Sequence, residues 1–328
     1  MKTILVTGAA GFIGFHTTKK LLDKGYKVVG LDNMNDYYDK SLKYNRIKIL
    51  LNHKNKKNFC FYKEDINNLC SLGLINGKHK LDQVIHLASQ EGVKYSLGAP
   101  FVYVENNLKG FVSILEFVRK NKLPLIYASS SSVYGDSKLD KFTEEDNTDT
   151  PISLYATTKK ANELLAYTYS SLFKIPAIGL RLFTVYGPMD RSNTAVFKFT
   201  QNILEGTKID VYNNGEMYRD FTYIDDVANG ILSCLNLNFS KNKIPYEIIN
   251  LGCGNPRKLI DFVKLIEKYC SKKAKINFMP PQPGDVLKTS ANTAKAKKLI
   301  GFKPKVKLED GLKKFIEWYK KYYLKQTS

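Results

Sequence analysis

Three residues in the middle of the chain have the types and spacing of an acid–base device. Ser130 lies in Ala128-Ser129-Ser130-Ser131-Ser132-Val133-Tyr134-Gly135, straight after the apolar run Leu125-Ile126-Tyr127. Tyr155 and Lys159 lie in Tyr155-Ala156-Thr157-Thr158-Lys159, where a helical pattern begins. Residues at this spacing share a helical face. A phenol with its usual pKa of about 10 is a poor base near neutrality. An ammonium one turn away favours the phenolate and brings it toward working pH. An isolated Tyr-x-x-x-Lys is equally a solvated surface pair, so the chemistry depends on what else the chain brings to this base.

The elements that must position these groups read as alternating strands and helices. Lys2–Thr7 is a short apolar strand. Gly8-Ala9-Ala10-Gly11-Phe12-Ile13-Gly14 follows, then an amphipathic helix through Leu22 and a strand Val28–Leu31 ending in Asp32. Strand, glycine turn, helix, strand and acid within about 30 residues is the pattern of a dinucleotide-binding unit. Glycines let the backbone approach a pyrophosphate at the helix N-terminus, where free N–H groups favour negative charge. Asp32 is placed to accept from ribose hydroxyls and to repel a 2′-phosphate, which favours NAD over NADP.

A helical stretch from Asp36 to about Leu51 comes next, then a strand Phe59–Tyr62 leading to Asp65-Ile66. Asp65 is placed either to reach an adenine edge or to cap a helix. Gln83-Val84-Ile85-His86-Leu87-Ala88-Ser89 is a strand and its exit, with His86 read as a packed core residue. Val102–Lys120 reads as a helix, Ser153–Phe173 as a long one, and Ala177–Leu180 as a sixth strand. The pattern loosens after Arg181, and Glu247–Leu251 returns as a seventh strand. The fold class is α/β: a doubly wound parallel sheet with a second, smaller α/β region. In such sheets ligands bind at the carboxyl ends of the strands. Ser130, the Gly8–Gly14 loop and Asp32 all follow strands, so one cleft holds both a dinucleotide and the base. That pairing implies hydride transfer coupled to removal of a hydroxyl proton.

Composition narrows the alternatives. No apolar run is long enough to span a membrane. The five cysteines and four histidines are scattered without metal spacing, which suits a reducing cytoplasm and predicts no metal. The net charge of +20 raises RNA binding as a rival class. Its lysines are spread along the chain, however, which reads as a solvated face and predicts no nucleic-acid partner.

Together these residues resemble the extended short-chain dehydrogenases/reductases, specifically the nucleotide-sugar epimerases, and most of all the UDP-glucuronate 4-epimerases. The resemblance is carried by Val6–Gly14, Asp32-Asn33-Met34-Asn35-Asp36-Tyr37-Tyr38-Asp39, Ser153–Glu163, Phe183-Thr184-Val185-Tyr186-Gly187-Pro188 and Arg219–Val227. It implies a Rossmann domain over 1–182, with 223–255 returning to it, and a nucleotide-sugar-binding domain from 183–222 and 256–328. It implies Tyr155 as base, Lys159 as its partner and a ribose ligand, and Ser130 on the sugar O4. NAD would be held by Gly8, Gly11, Phe12, Ile13, Gly14, Asp32, Asn33, Asp65, Ile66, Leu87, Ala88, Ser89, Asn106 and Lys159. A UDP-sugar would be held by Ser130, Ser131, Ser132, Thr184, Arg191, Phe197, Val211, Tyr212, Arg219 and Asp285. A homodimer through the Val102–Lys120 and Ser153–Phe173 helices is implied too, and a role in surface polysaccharide precursor synthesis.

The residues after Ser130 separate reactions that share a first step. Dehydratase relatives place Asp-Glu directly after the catalytic hydroxyl, and UDP-glucuronate decarboxylases have Glu at the position of Ser132. Serines there cannot act as acid and base near neutral pH, which favours return of the keto intermediate over its consumption. Arg191 matches a carboxylate-binding arginine of glucuronate epimerases. Two departures keep UDP-glucose and UDP-N-acetylglucosamine open as substrates. Relatives often read Gln-Ala-Gly-Val-Arg where this chain has Gln90-Glu91-Gly92-Val93-Lys94. Glu91 disfavours a glucuronate unless Lys94 or Arg191 compensates. Thr289 is small where bulk near the sugar C2 group is often limited. The non-enzymatic alternative is an NAD-sensing or RNA-binding relative, against which the retained Ser130, Tyr155 and Lys159 argue.

Overall fold

The computed structural model describes residues 1–239, 243–281, 284 and 286–323. Its centre is a seven-stranded sheet. We label the strands β1 (Thr3–Thr7), β2 (Lys27–Asp32), β3 (Phe59–Lys63), β4 (Gln83–His86), β5 (Leu125–Ser130), β6 (Ala177–Leu182) and β7 (Tyr246–Leu251). They lie in the order β7-β6-β5-β4-β1-β2-β3, and every pairing is parallel. The crossovers are the helices α1 (Phe12–Asp23), α2 (Lys40–Leu51), α3 (Leu69–His79), α4 (Gly110–Asn121) and α5 (Leu154–Phe173). The order reverses direction between β1 and β4, so their carboxyl ends flank the crevice where a doubly wound sheet takes its ligand.

Both faces of the sheet are covered. Ile4 and Val6 of β1 pack into one apolar cluster with Val28, Ile85, Ile126 and Ile178. Leu5, between them, packs into another with Val29, Val84, Leu125 and Tyr127. That period of two explains why the strands read as continuous apolar runs. A further cluster gathers Phe197, Ile209, Val211, Phe221, Phe262 and Phe315, with Phe221 and Phe262 stacked at 4.1 Å. Small parallel pairs brace this part: Thr184–Tyr186 with Phe221–Tyr223, and Lys208–Tyr212 with Lys275–Met279.

Three elements differ from the sequence expectation. Residues 36–39 are not helical, because Asp39 caps α2 by accepting from the Ser41 amide at 2.8 Å. Helix α3 was not expected: Gly73 and Gly77 weaken its pattern, and Asn68 caps it by accepting from Ser71. The helix expected over Val102–Lys120 contains a wide turn over Val104–Lys109. Such π-type turns swing side chains out of the ordinary register. This one puts Asn106 on the cleft wall and sends Asn107 into the interior.

Candidate active site

Helix α5 starts sharply because Ser153 caps it, its hydroxyl accepting from the Ala156 amide at 3.1 Å. That fixes Tyr155 in the first turn and Lys159 one turn on, both on a cavity wall with Ser130. Ser130 ends β5. Its hydroxyl accepts from the Ser132 hydroxyl at 2.8 Å and the Ser132 amide at 3.2 Å. The Lys159 ammonium donates to the Ala128 carbonyl at 3.0 Å and lies 5.9 Å from the centre of the Tyr155 ring. The structure therefore brings the three groups to one cavity wall.

Their protonation runs against the simplest expectation. Burial pushes the Tyr155 phenol above its ordinary value; the Ser130 hydrogen bond pulls it down, and Tyr37 opposes that. Burial also pushes Lys159 down to about 8. Desolvation by burial is the largest cause for both groups.

A buried network sets the distance between Ser130 and α5. Arg181 of β6 grips Glu163 of α5 with two bonds of 2.9 Å, and the Ser129 hydroxyl donates to Glu163 at 2.6 Å. Arg181 and Glu163 keep only 4% and 5% of their side-chain surface. Arg181 also donates to Tyr134, whose hydroxyl donates to Asn250 of β7. The serine loop is thus tied to three elements.

The cofactor side is built from close backbone packing. At Gly8, with φ +70°, an added Cβ would come within 2.8 Å of the backbone of Leu87 and Ala88. A methyl at Gly14 would overlap the Gly8 carbonyl. Gly11 leaves the N-terminus of α1 without a side-chain cap, and Gly11, Phe12 and Ile13 face the cavity. This cradle fits a pyrophosphate. Asp32 accepts from the Ala10 amide at 3.1 Å and the Met34 amide at 2.8 Å, so it braces the glycine loop besides offering its remaining acceptor capacity to a ribose.

Gly8, Gly14, Asn33, Ile66, Leu87, Ala88, Ser89 and Thr184 also line this cavity of about 650 Å³, as does Arg191. Asp65 stands behind the wall, accepting from Asn33 at 3.0 Å and from the Asn67 amide at 2.9 Å. Ser131 and Ser132 are half-buried in the turn after β5 and are not on the wall. Phe197 and Val211 are core residues, Phe197 against Tyr319 and Tyr323. Tyr212 and Arg219 are half-buried off the wall, with Arg219 donating to the Tyr218 carbonyl at 3.1 Å. Asp285 lies outside the described residues. Thr289 is buried and accepts from the Asp220 amide at 3.1 Å, so it braces the backbone. Among the described residues no group of three or more His, Cys, Asp or Glu could hold a metal, and no helix is long and apolar enough to cross a membrane.

Sequence reasoning missed a pair of cations on α2. Lys43 lies 3.6 Å from Asp32 and donates to Asn35 at 2.7 Å. Arg46, fully buried, donates to the Met189 carbonyl at 2.7 Å, the Ala10 carbonyl at 2.8 Å and the Tyr38 hydroxyl at 2.7 Å. It clamps the glycine loop to the 189–194 loop. The available signal was two cations three apart on a helix that follows Asp32.

A dinucleotide cradle beside a Ser–Tyr–Lys group, at the switch point of a doubly wound sheet, defines the class. The comparisons agree. A family model described as GDP-mannose 4,6 dehydratase matches residues 5–315. UDP-glucuronate 4-epimerase 4 of Arabidopsis thaliana is 42% identical over 335 residues, covering 98% of this chain and 76% of that protein. The UDP-glucuronic acid 4-epimerase from Bacillus cereus, solved with UDP-glucuronic acid and NAD, superimposes with a TM-score of 0.90 at 37% identity, over 98% of this chain and 100% of that one. The UDP-glucose 4-epimerase from Thermotoga maritima, solved with UDP-glucose, gives 0.86 at 30% identity, over 97% and 99%. The chain belongs to the nucleotide-sugar epimerase and dehydratase family of the extended short-chain dehydrogenases/reductases.

Proposed function

We propose that the protein epimerises a UDP-hexose at C4 with NAD as a retained cofactor, converting UDP-glucuronate to UDP-galacturonate. The observation that carries this reading is that Ser130, Tyr155 and Lys159 share one cavity wall, with serines instead of carboxylates at 131 and 132. Bound NAD⁺ supplies the hydride acceptor and a positive charge near the phenol. Tyr155 takes the proton of the 4-hydroxyl while Ser130 holds O4. Ser132 donates to Ser130, leaving the Ser130 hydroxyl proton free to point at the phenol or the sugar. The 4-keto sugar turns within the cavity, and Tyr155 returns the proton to O4 once the opposite face is presented. Asp32 favours NAD over NADP on the cofactor side. In this reading residues 1–182 with 223–255 hold the cofactor, and 183–222 with 256–328 close over the nucleotide sugar.

An uncharged hexose such as UDP-glucose is the second reading, favoured by the contact between Glu91 and Arg191 on the cavity wall. The setting is a cytoplasmic homodimer supplying polysaccharide precursors. The dimer rests on the exposed Leu164, Tyr167 and Leu172 of α5 and the exposed Val112 of α4. The test is to incubate the purified protein with a panel of UDP-sugars, without added cofactor, and read products by NMR. UDP-galacturonate from UDP-glucuronate supports the reading. A UDP-pentose or a 4-keto-6-deoxy sugar overturns it in favour of decarboxylation or dehydration.

A further inference from the structure

One pairing on the cavity wall is not used by the C4 chemistry. Arg191, on the loop after Thr184–Tyr186, and Glu91, on the loop after β4, meet across the cleft with their charged groups in contact. Both loops are fixed from behind. The Gln90 amide donates to Asn107 at 2.7 Å, and the Asn107 amide group donates back to the Gln90 carbonyl at 2.8 Å. The fully buried Tyr103 hydroxyl reaches the Glu91 carbonyl at 2.6 Å. On the other side, Asp190 accepts from the Arg191 amide at 2.7 Å, and Arg46 holds the preceding Met189 carbonyl. The backbones that carry the two charged side chains are therefore fixed on either side of the cleft.

Three cations line the cavity among the described residues: Lys43, Lys159 and Arg191. Lys43 faces Asp32, Lys159 donates to the Ala128 carbonyl, and Arg191 faces Glu91. Lys94 is exposed and off the wall. A sugar carboxylate entering the cavity finds each of these cations already met by a protein oxygen. Taking Arg191 would leave the Glu91 carboxylate without its partner in a half-buried place and beside a second negative charge. Both effects oppose an anionic ligand. A sugar with a hydroxymethyl group leaves the Glu91–Arg191 pair intact.

We propose that Glu91 is a specificity-determining residue, an internal stand-in for a sugar carboxylate that occupies Arg191 and so admits UDP-hexoses with an uncharged C6 group alongside UDP-glucuronate. A repulsive group selects between ligands as effectively as an attractive one. This rests on the reading of the cavity as a UDP-hexose 4-epimerase site.

The test compares kcat/KM for UDP-glucuronate and UDP-glucose in the wild type, Glu91→Gln and Glu91→Ala. A second readout is calorimetric binding of both sugars to Tyr155→Phe and to Tyr155→Phe/Glu91→Gln, where turnover does not intervene. The wild type is expected to convert both sugars. Removing the charge should raise the glucuronate-to-glucose ratio about tenfold or more, in kinetics and in binding alike. A C4 epimerase whose ratio moves less than about twofold in both variants, or moves toward glucose, overturns the assignment of Glu91 alone. A folded wild type that epimerises neither sugar overturns both this assignment and the reading beneath it.

Discussion

In the proposed reaction Tyr155 carries the proton, and its surroundings say what to expect of its loss. The fold around it does not depend on its hydroxyl, because the cap at Ser153 and the Glu163–Arg181 pair hold α5 in place. Tyr155→Phe should lower turnover about 10²–10⁴-fold with an unchanged melting temperature. Near-normal turnover would remove Tyr155 from the role of base. Asp190 makes a separate pH prediction. Burial raises its carboxyl from 3.8 to about 7, against the Arg191 amide and the Thr194 hydroxyl, which pull it down. Between those values the folded protein keeps a proton that the unfolded chain has released. Asp190 therefore stabilises the fold at low pH, and that contribution is lost as pH rises through about 7. Asp190→Asn should lose less melting temperature than the wild type between pH 5 and pH 8; parallel losses would contradict the assignment. At this scale the sequence was informative where the spacing was local, as for Tyr155 and Lys159. It offered both Lys94 and Arg191 as partners that could compensate Glu91, and only the closed fold, which brings the two loops together, selects Arg191. The burial that lowers Lys159 to about 8 was not legible either, since desolvation is a property of the packed site and not of the motif.

Among the elements, the critical joint is between β5, β6 and α5. Among the described residues Glu163 is the carboxylate that meets Arg181, and it also takes the Ser129 hydroxyl. Glu163→Ala would strand a buried guanidinium, and should cost about 3–5 kcal/mol in urea unfolding. A loss below about 1 kcal/mol would show that the network does not hold the joint. The alternating β–α pattern from β1 to β6 was legible because both-face burial makes each strand a continuous apolar run. Helix α3 was not legible, since its glycines disguise it. The wide turn over 104–109 was not either, because nothing in an apolar period announces one extra residue per turn. In the second region the positions matched by resemblance alone, Phe197 and Val211, turn out to serve the core, where their apolar character is already explained by burial.

For the molecule as a whole, the apolar residues left on α5 and α4 are expected to be covered by a second copy of the chain. Leu164 keeps 58% of its surface and Leu172 keeps 67%. Leu164→Glu should convert a dimer to a monomer in sedimentation velocity, and a wild type that sediments as a monomer would contradict the dimer. The central claim is that C4 is oxidised and then restored, with nothing lost from the sugar. UDP-glucuronate carrying deuterium at C4, incubated with the purified protein in ordinary water without added cofactor and followed by NMR, tests it directly. The expected product is UDP-galacturonate with the deuterium still at C4. Release of the deuterium to water, or loss of C6 as carbon dioxide, would contradict it.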